Sequence, residues 1–250
     1  MRLMLVIALA LTACSPRAPE GRIIVVVSAN VEWRAIKPLF ADTAPGTTPY
    51  GETLSVEVGP RRDPVLFIHG GWGKISAAGS AQYVIDRWHP ELIVNLGTCG
   101  GFAGAIERFA TVLAERTLVY DIVERMGDAK EAIDAYATTI DLGWLGAGTP
   151  TPVVRTTLVS ADQDLDPAQL AHLRDDYKAV AGDWESGAIA YVAQRNATRV
   201  LILRGVTDLV GDAGGEAYGK EQVYVDGSKR VMTDLVAALP AWLAHSSARH

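Results

Sequence analysis

The chain carries only two cysteines, Cys14 and Cys99, in 250 residues, so a disulfide framework is excluded as the source of its stability. Its five histidines (His69, His89, His172, His245 and His250) are scattered. There is no H-E-x-x-H helix and no C-x-x-C pair, so no metal site is expected. Basic residues never form a run of three, and acidic residues outnumber them 29 to 23. That balance leaves no electrostatic footprint for a nucleic acid partner. Internal repeats and dividing linkers are also absent. What remains is a chain that is 49% hydrophobic, enough for one sizeable core.

The first residues read as a targeting segment. Met1-Arg2 gives a minimal positive start, and the apolar run Leu3 to Leu11 is too short to span a bilayer as a helix. Small residues and a cysteine follow, in Leu11-Thr12-Ala13-Cys14. The pattern is that of a bacterial lipoprotein signal, with residues 1–13 removed and lipid attached to Cys14. Residues 14–21 form a short tether, and residues 22–250 a single domain. The expectation is an exported protein, lipid-anchored to the bacterial cell envelope with its soluble domain periplasmic, touching the membrane through the anchor alone.

From residue 22 onward, β-branched runs alternate with helical stretches. Ile23 to Val27, Leu92 to Leu96 and Arg199 to Val206 read as buried strands. Leu54 to Val58, Val65 to His69, Thr111 to Tyr120 and Val153 to Ser160 complete the set. Helices are expected over Glu32 to Phe40, Ser76 to Trp88, Pro167 to Tyr177, Ser186 to Asn196 and Glu221 to His245, the last interrupted by Pro240. Asp166 is placed to cap the third of these, with Pro167 at its first position. Glu124 to Pro150 reads as irregular. The alternation predicts an α/β domain of three layers, α/β/α, around a central mixed, mainly parallel sheet. In such folds chemistry sits at the carboxyl ends of strands, here at Ser28, Gly97, Ser160 and Thr207.

Gly71-Trp72-Gly73 followed by Ser76 is an incomplete dinucleotide loop. Trp72 is bulky, and Asp86 is a poor ribose acid, so no cofactor is expected. Three acids stand apart: Glu32 after the first strand, Glu185 at the start of an apolar helix, and Asp208 at the end of a late strand. Each alone is compatible with a helix-terminal acid favouring the macrodipole. All three on the carboxyl side of strands in one sheet is a different matter.

Six segments, in order, resemble the nucleoside phosphorylase and nucleosidase superfamily, and within it the methylthioadenosine/S-adenosylhomocysteine nucleosidases. They are Ser28-Ala29-Asn30-Val31-Glu32, Gly73-Lys74-Ile75-Ser76-Ala77-Ala78, Asn95 to Phe102, Val159-Ser160-Ala161-Asp162, Asp183 to Ala190, and Arg204 to Val210. The resemblance implies a nucleoside phosphorylase-like fold and cleavage of the bond between a purine and its ribose. It implies Asp208 as the acid that protonates the purine, and Glu32 as the base that activates water. Glu185 would bind the ribose hydroxyls, Trp184 would lie beneath the sugar in place of a methionine, and Thr98 would line the sugar and water site. Ser160 and Asp162 would flank the base. A homodimer sharing the pocket edge is implied as well.

Asn95 stands where hexameric bacterial phosphorylases of this group carry a phosphate-binding arginine, which points to hydrolysis. The nucleoside expected is 5′-methylthioadenosine or S-adenosylhomocysteine. The alternatives are a purine nucleoside phosphorylase, a hydrolase of another nucleoside such as a futalosine, and an inactive nucleoside-binding lipoprotein. Ala161 for glycine, Asp164 where an aromatic is usual, and Tyr120-Asp121 for a His-Asp pair depart from the pattern.

Overall fold

A computed structural model of the chain describes residues 23–146 and 148–247. The expected signal segment, the tether and Cys14 lie outside the described residues. The elements begin with β1 (Ile23–Val27) and α1 (Asn30–Ile36), which continues into a 3-10 turn (Lys37–Phe40). Next come β2 (Gly46–Thr47), β3 (Glu52–Val58), β4 (Asp63–His69) and α2 (Gly73–Trp88). The middle of the chain holds β5 (Leu92–Phe102), β6 (Thr111–Val119), α3 (Ala129–Asp134), β7 (Thr138–Thr139), β8 (Val154–Ser160) and α4 (Pro167–Tyr177). The remainder is β9 (Ala179–Asp183), α5 (Ser186–Arg195), β10 (Arg199–Gly211), β11 (Gly214–Gly215) and α6 (Glu221–Ser247).

The sheet is mixed. Its centre is parallel, with β1 between β4 and β5, and β5 beside β10. Antiparallel neighbours extend it on both sides. On one face α1 packs on α6, and α6 on β5 and β10; on the other, α2 packs on α5, and α5 on β6 and β8. These are the three expected layers. Ile24 to Val27 and Leu201 to Leu203 are almost wholly buried at the centre, which is why those runs are β-branched or leucine on both faces.

Two strands are longer than their hydrophobic runs. β5 continues through Gly97-Thr98-Cys99-Gly100-Gly101, expected as a loop, and β10 continues past Thr207. The two stay paired from Leu92↔Arg199 to Phe102↔Val210, with an irregularity between Val206 and Asp208. Their extensions are sealed by β6, β8 and β9, so that β10, β6, β8, β9 and β5 close on one another as a small barrel. Closure removes free edges, so glycine-rich backbone is held as strand there by its neighbours. Asp208 therefore sits within a strand rather than at its end. β9, which has no strand-like apolar run, also owes its state to this ring.

Asp166 caps α4 as expected, accepting from the Ala168 amide at 2.9 Å. Pro240 does not interrupt α6. Leu239, Trp242 and Leu243 around it are nearly fully buried, and that packing outweighs the lost backbone bond. Among the described residues, no helix is long and apolar enough to cross a membrane.

Candidate active site

Three chain segments far apart in sequence bring their acids to one place. Glu32 lies in the first turn of α1, Glu185 between β9 and α5, and Asp208 at the irregularity in β10. Their exposures are only 2%, 4% and 6%. All three line one cavity of about 720 Å³, together with Thr98, Trp184 and Tyr224. That size suits a small-molecule ligand.

Each carboxyl group has a different environment. Glu32 is fixed on both oxygens: Oε2 accepts from the Ala29 amide at 3.0 Å, and Oε1 accepts from the Thr98 amide at 2.6 Å and its hydroxyl at 2.8 Å. Glu185 accepts from the Gly73 amide at 3.1 Å. Its burial, and then the charges of Glu32 and Asp183, hold it well above the usual carboxylate range. Asp208 receives the Thr207 hydroxyl on Oδ1 at 2.7 Å. Burial raises it too, partly offset by the Thr207 hydroxyl and the Ala217 amide.

Behind the acids lies Arg204, fully buried. Its Nε is 2.8 Å from Asp183 Oδ2 and donates to Ser186 Oγ at 2.9 Å, while Nη2 donates to Asn95 Oδ1 at 2.8 Å. Gly97 is glycine because the guanidinium passes beneath it. A Cβ there would stand 1.5 Å from Arg204 Nη1 and 2.8 Å from Glu32 Oε1. Burial alone would lower the guanidinium's pKa, but the carboxylates of Asp183, Glu32 and Glu185 outweigh it and hold the cation. Asn95 belongs to this buried network and does not line the cavity.

Of the sequence-predicted residues, Trp184 and Thr98 lie on the cavity wall, whereas Ser160 and Asp162 do not. Ser160 is fully buried, donates to Asp183 Oδ1 at 2.5 Å and accepts from the Gly187 amide at 2.8 Å. It braces the start of α5. Asp162 accepts from the Lys74 amide at 2.8 Å and so ties down the start of α2. Both come from the family resemblance of the Val159 to Asp162 segment, and a motif beside the site does not distinguish a wall residue from a brace.

Sequence reasoning passed over Trp72. Its ring stacks on Trp184 at 4.9 Å between centroids, and it lines the cavity. Gly71 and Gly73, on either side, have φ of 83° and 82°, the left-handed region that favours glycine. The glycine cluster thus shapes a turn that presents Trp72 to the cavity and the Gly73 amide to Glu185. Among the described residues, no group of three or more His, Cys, Asp or Glu is arranged to hold a metal.

A pH dependence follows from Glu185 and Asp208. Both carboxyls are raised in the folded protein, which keeps protons that the unfolded chain releases. The contribution of these two groups to stability is therefore greatest on the acid side and falls as pH rises upward from the ordinary carboxylate range. Glu185→Gln, which mimics the protonated acid, is expected to raise Tm at mildly alkaline pH and flatten its pH dependence. Calorimetry across pH 5 to 8 checks this, and a profile unchanged by the substitution would contradict it.

Fold and cavity together are those of an α/β enzyme acting on a small molecule. The chain belongs to the Phosphorylase superfamily, whose sequence pattern matches residues 22–238. A 5′-methylthioadenosine/S-adenosylhomocysteine nucleosidase of Bacillus licheniformis is 24% identical over 187 residues, covering 69% of this chain and 78% of that protein. The apo structure of Arabidopsis thaliana 5′-methylthioadenosine nucleosidase is similar in fold, with TM-score 0.72 and 19% identity over 92% of this chain and 98% of that one. A futalosine hydrolase mutant of Helicobacter pylori has TM-score 0.69 and 14% identity, covering 89% and 99%.

Proposed function

We propose that the protein hydrolyses the N-glycosidic bond of a purine nucleoside, 5′-methylthioadenosine or S-adenosylhomocysteine, releasing adenine and the 5′-modified ribose. The observation that carries this reading is the convergence of Glu32, Glu185 and Asp208 on one cavity, with two of the three carboxyls biased toward the protonated form. The relatives' activities support it.

The chemistry needs a protonated leaving group, an aligned water and a held sugar. Asp208 keeps a proton to give to the purine N7 as the C1′–N9 bond breaks and its electron pair moves to the base. Thr207 donates to Oδ1 and so orients the carboxyl group in the cavity. Water attacks C1′, and its proton passes to Glu32, whose carboxylate is aimed by Ala29 and Thr98. Glu185 meets the ribose hydroxyls, and the negative charge that Asp208 acquires as it gives up its proton favours the cationic, oxocarbenium-like transition state. The stacked Trp72 and Trp184 rings offer an apolar wall suited to a methylthio group.

Hydrolysis is favoured over phosphorolysis because phosphate needs cationic donors. The Glu32 carboxylate on the cavity wall repels phosphate, Arg34 and Lys220 in the lining are exposed to solvent, and Arg204 is withheld by its buried network with Asp183 and Asn95. Product analysis with and without phosphate is the test. Free ribose product and adenine, at a rate indifferent to phosphate, are expected; ribose 1-phosphate would overturn the reading.

We also propose a homodimer. Ile75, Val123 and Met126, exposed by 88%, 71% and 96%, are apolar. The Lys74–Asp121 ion pair joins their two segments, beside Trp72 on the cavity wall. Exposed apolar side chains on two segments joined beside the cavity wall are suited to a second subunit. Sedimentation is expected to give a dimer, and Ile75→Glu with Met126→Glu a monomer; a wild-type monomer would refute it.

A further inference from the structure

Two loops from different strands share the cavity wall with Asp208. Gln163, Asp164 and Leu165 follow β8, and Ala217, Tyr218 and Gly219 follow β11; all six line the cavity. A hydrogen bond crosses between them: the Tyr218 hydroxyl donates to the Leu165 carbonyl oxygen at 2.6 Å. Both ends of this bond are seated. The Leu165 side chain is buried against β5 and β9, where a Cβ on Gly100 would stand 3.1 Å from its Cδ1 and one on Gly182 2.7 Å from its Cδ2. Gly100 is the register partner of Asp208, so Leu165 packs beside the residue assigned to protonate the base. The Tyr218 ring lies against the Gly215 backbone, where a Cβ would stand 2.5 Å from its Cε1. Its loop is tied to β10 in turn: the Glu216 amide donates to the Leu209 carbonyl oxygen at 3.0 Å, and the Leu209 amide donates to the Glu216 carboxylate at 3.0 Å.

We propose that Tyr218 is a positioning residue for the purine, its phenol latching the loop after β8 to the loop after β11 so that the two hold the base as one wall. A wall loop that is free to shift must be ordered when the ligand binds, at a cost in affinity. The latch orders it beforehand, so the wall stands before the nucleoside arrives. A phenol is protonated at neutral pH, and the donor therefore persists. Glu32 stands on α1 and Glu185 between β9 and α5, outside both loops. The effect of the latch is thus confined to the base, while the contacts to the sugar and the water keep their own supports.

This inference rests on the nucleosidase reading. The test compares the full chain with its Tyr218→Phe variant on 5′-methylthioadenosine, with adenine and 5-methylthioribose as separate product inhibitors. Phenylalanine keeps the ring against Gly215 and removes only the donor. KM and the inhibition constant of adenine are each expected to rise about fivefold, the size of one net hydrogen bond. The kcat and the inhibition constant of 5-methylthioribose should stay within about twofold. A general loss of structure would instead lower Tm and weaken both products alike. Adenine inhibition equal to wild type overturns the inference, as does equal weakening of the two products or a loss confined to kcat. A wild type that is inactive on every nucleoside offered and does not bind adenine would instead reject the nucleosidase reading itself.

Discussion

Asp208→Asn is expected to reduce adenine release by about a thousandfold, inside the range of about 10² to 10⁴ for loss of a general acid. The amide keeps the shape and still accepts the Thr207 hydroxyl, so the pocket stays intact. What is lost is the proton that makes a neutral purine able to leave. The loss should fall on kcat, with nucleoside affinity nearly unchanged, because the proton moves only as the bond breaks. Steady-state rates together with calorimetric binding check both halves. Turnover equal to wild type would place the acid elsewhere. Negligible turnover by both proteins, with binding intact, would favour the reading as a nucleoside-binding protein.

The largest expected effect on stability comes from Arg204→Met. The guanidinium is the cation of a buried cluster holding Asp183, with Asn95 and Ser186 as further partners. Removing it strands the Asp183 carboxylate, 7% exposed, with only neutral donors, the hydroxyls of Ser160 and Ser186 and the Ser186 amide, against it. Breaking a buried pair in this way costs about 3–5 kcal/mol. Adding Asp183→Asn removes the stranded charge and should recover part of that loss, a coupling measurable by urea unfolding. Full additivity of the two changes would mean that the pair does not act as a unit. Activity should fall as well, because Arg204 lies under Gly97 beside the Glu32 carboxylate.

The layers of this fold were legible from the chain because they depend on local pattern. Ile23 to Val27 can only be a buried strand, and Asp166-Pro167 announces a helix start. The three acids could be named together because six short segments carried a family likeness, and the cavity collects all three. The rest depends on partners distant in sequence. Gly97 to Gly101 looks like a loop until β10 and β9 are set beside it. β9 itself, Ala-Val-Ala-Gly-Asp, has no strand signature apart from its neighbours. In the sequence Trp72 only spoils a nucleotide loop, and its stacking with Trp184 requires the fold to be known. The motif around Ser160 and Asp162 places them beside the base, and the direction their side chains take is a tertiary fact. Arg204 was visible within a motif, yet an arginine at complete burial is unusual enough that its role emerges only once Asp183, Asn95 and Gly97 surround it.

The direction of the first strand has a practical consequence. β1 starts at Ile23 on one rim of the sheet and runs five residues to Val27, and the turn that follows delivers Glu32 to the opposite rim. The described chain therefore enters the sheet at Ile23, on the rim away from Glu32. A resin or reporter joined directly at Ile23 would start from that far rim, which makes this strand end a point by which to tether the catalyst.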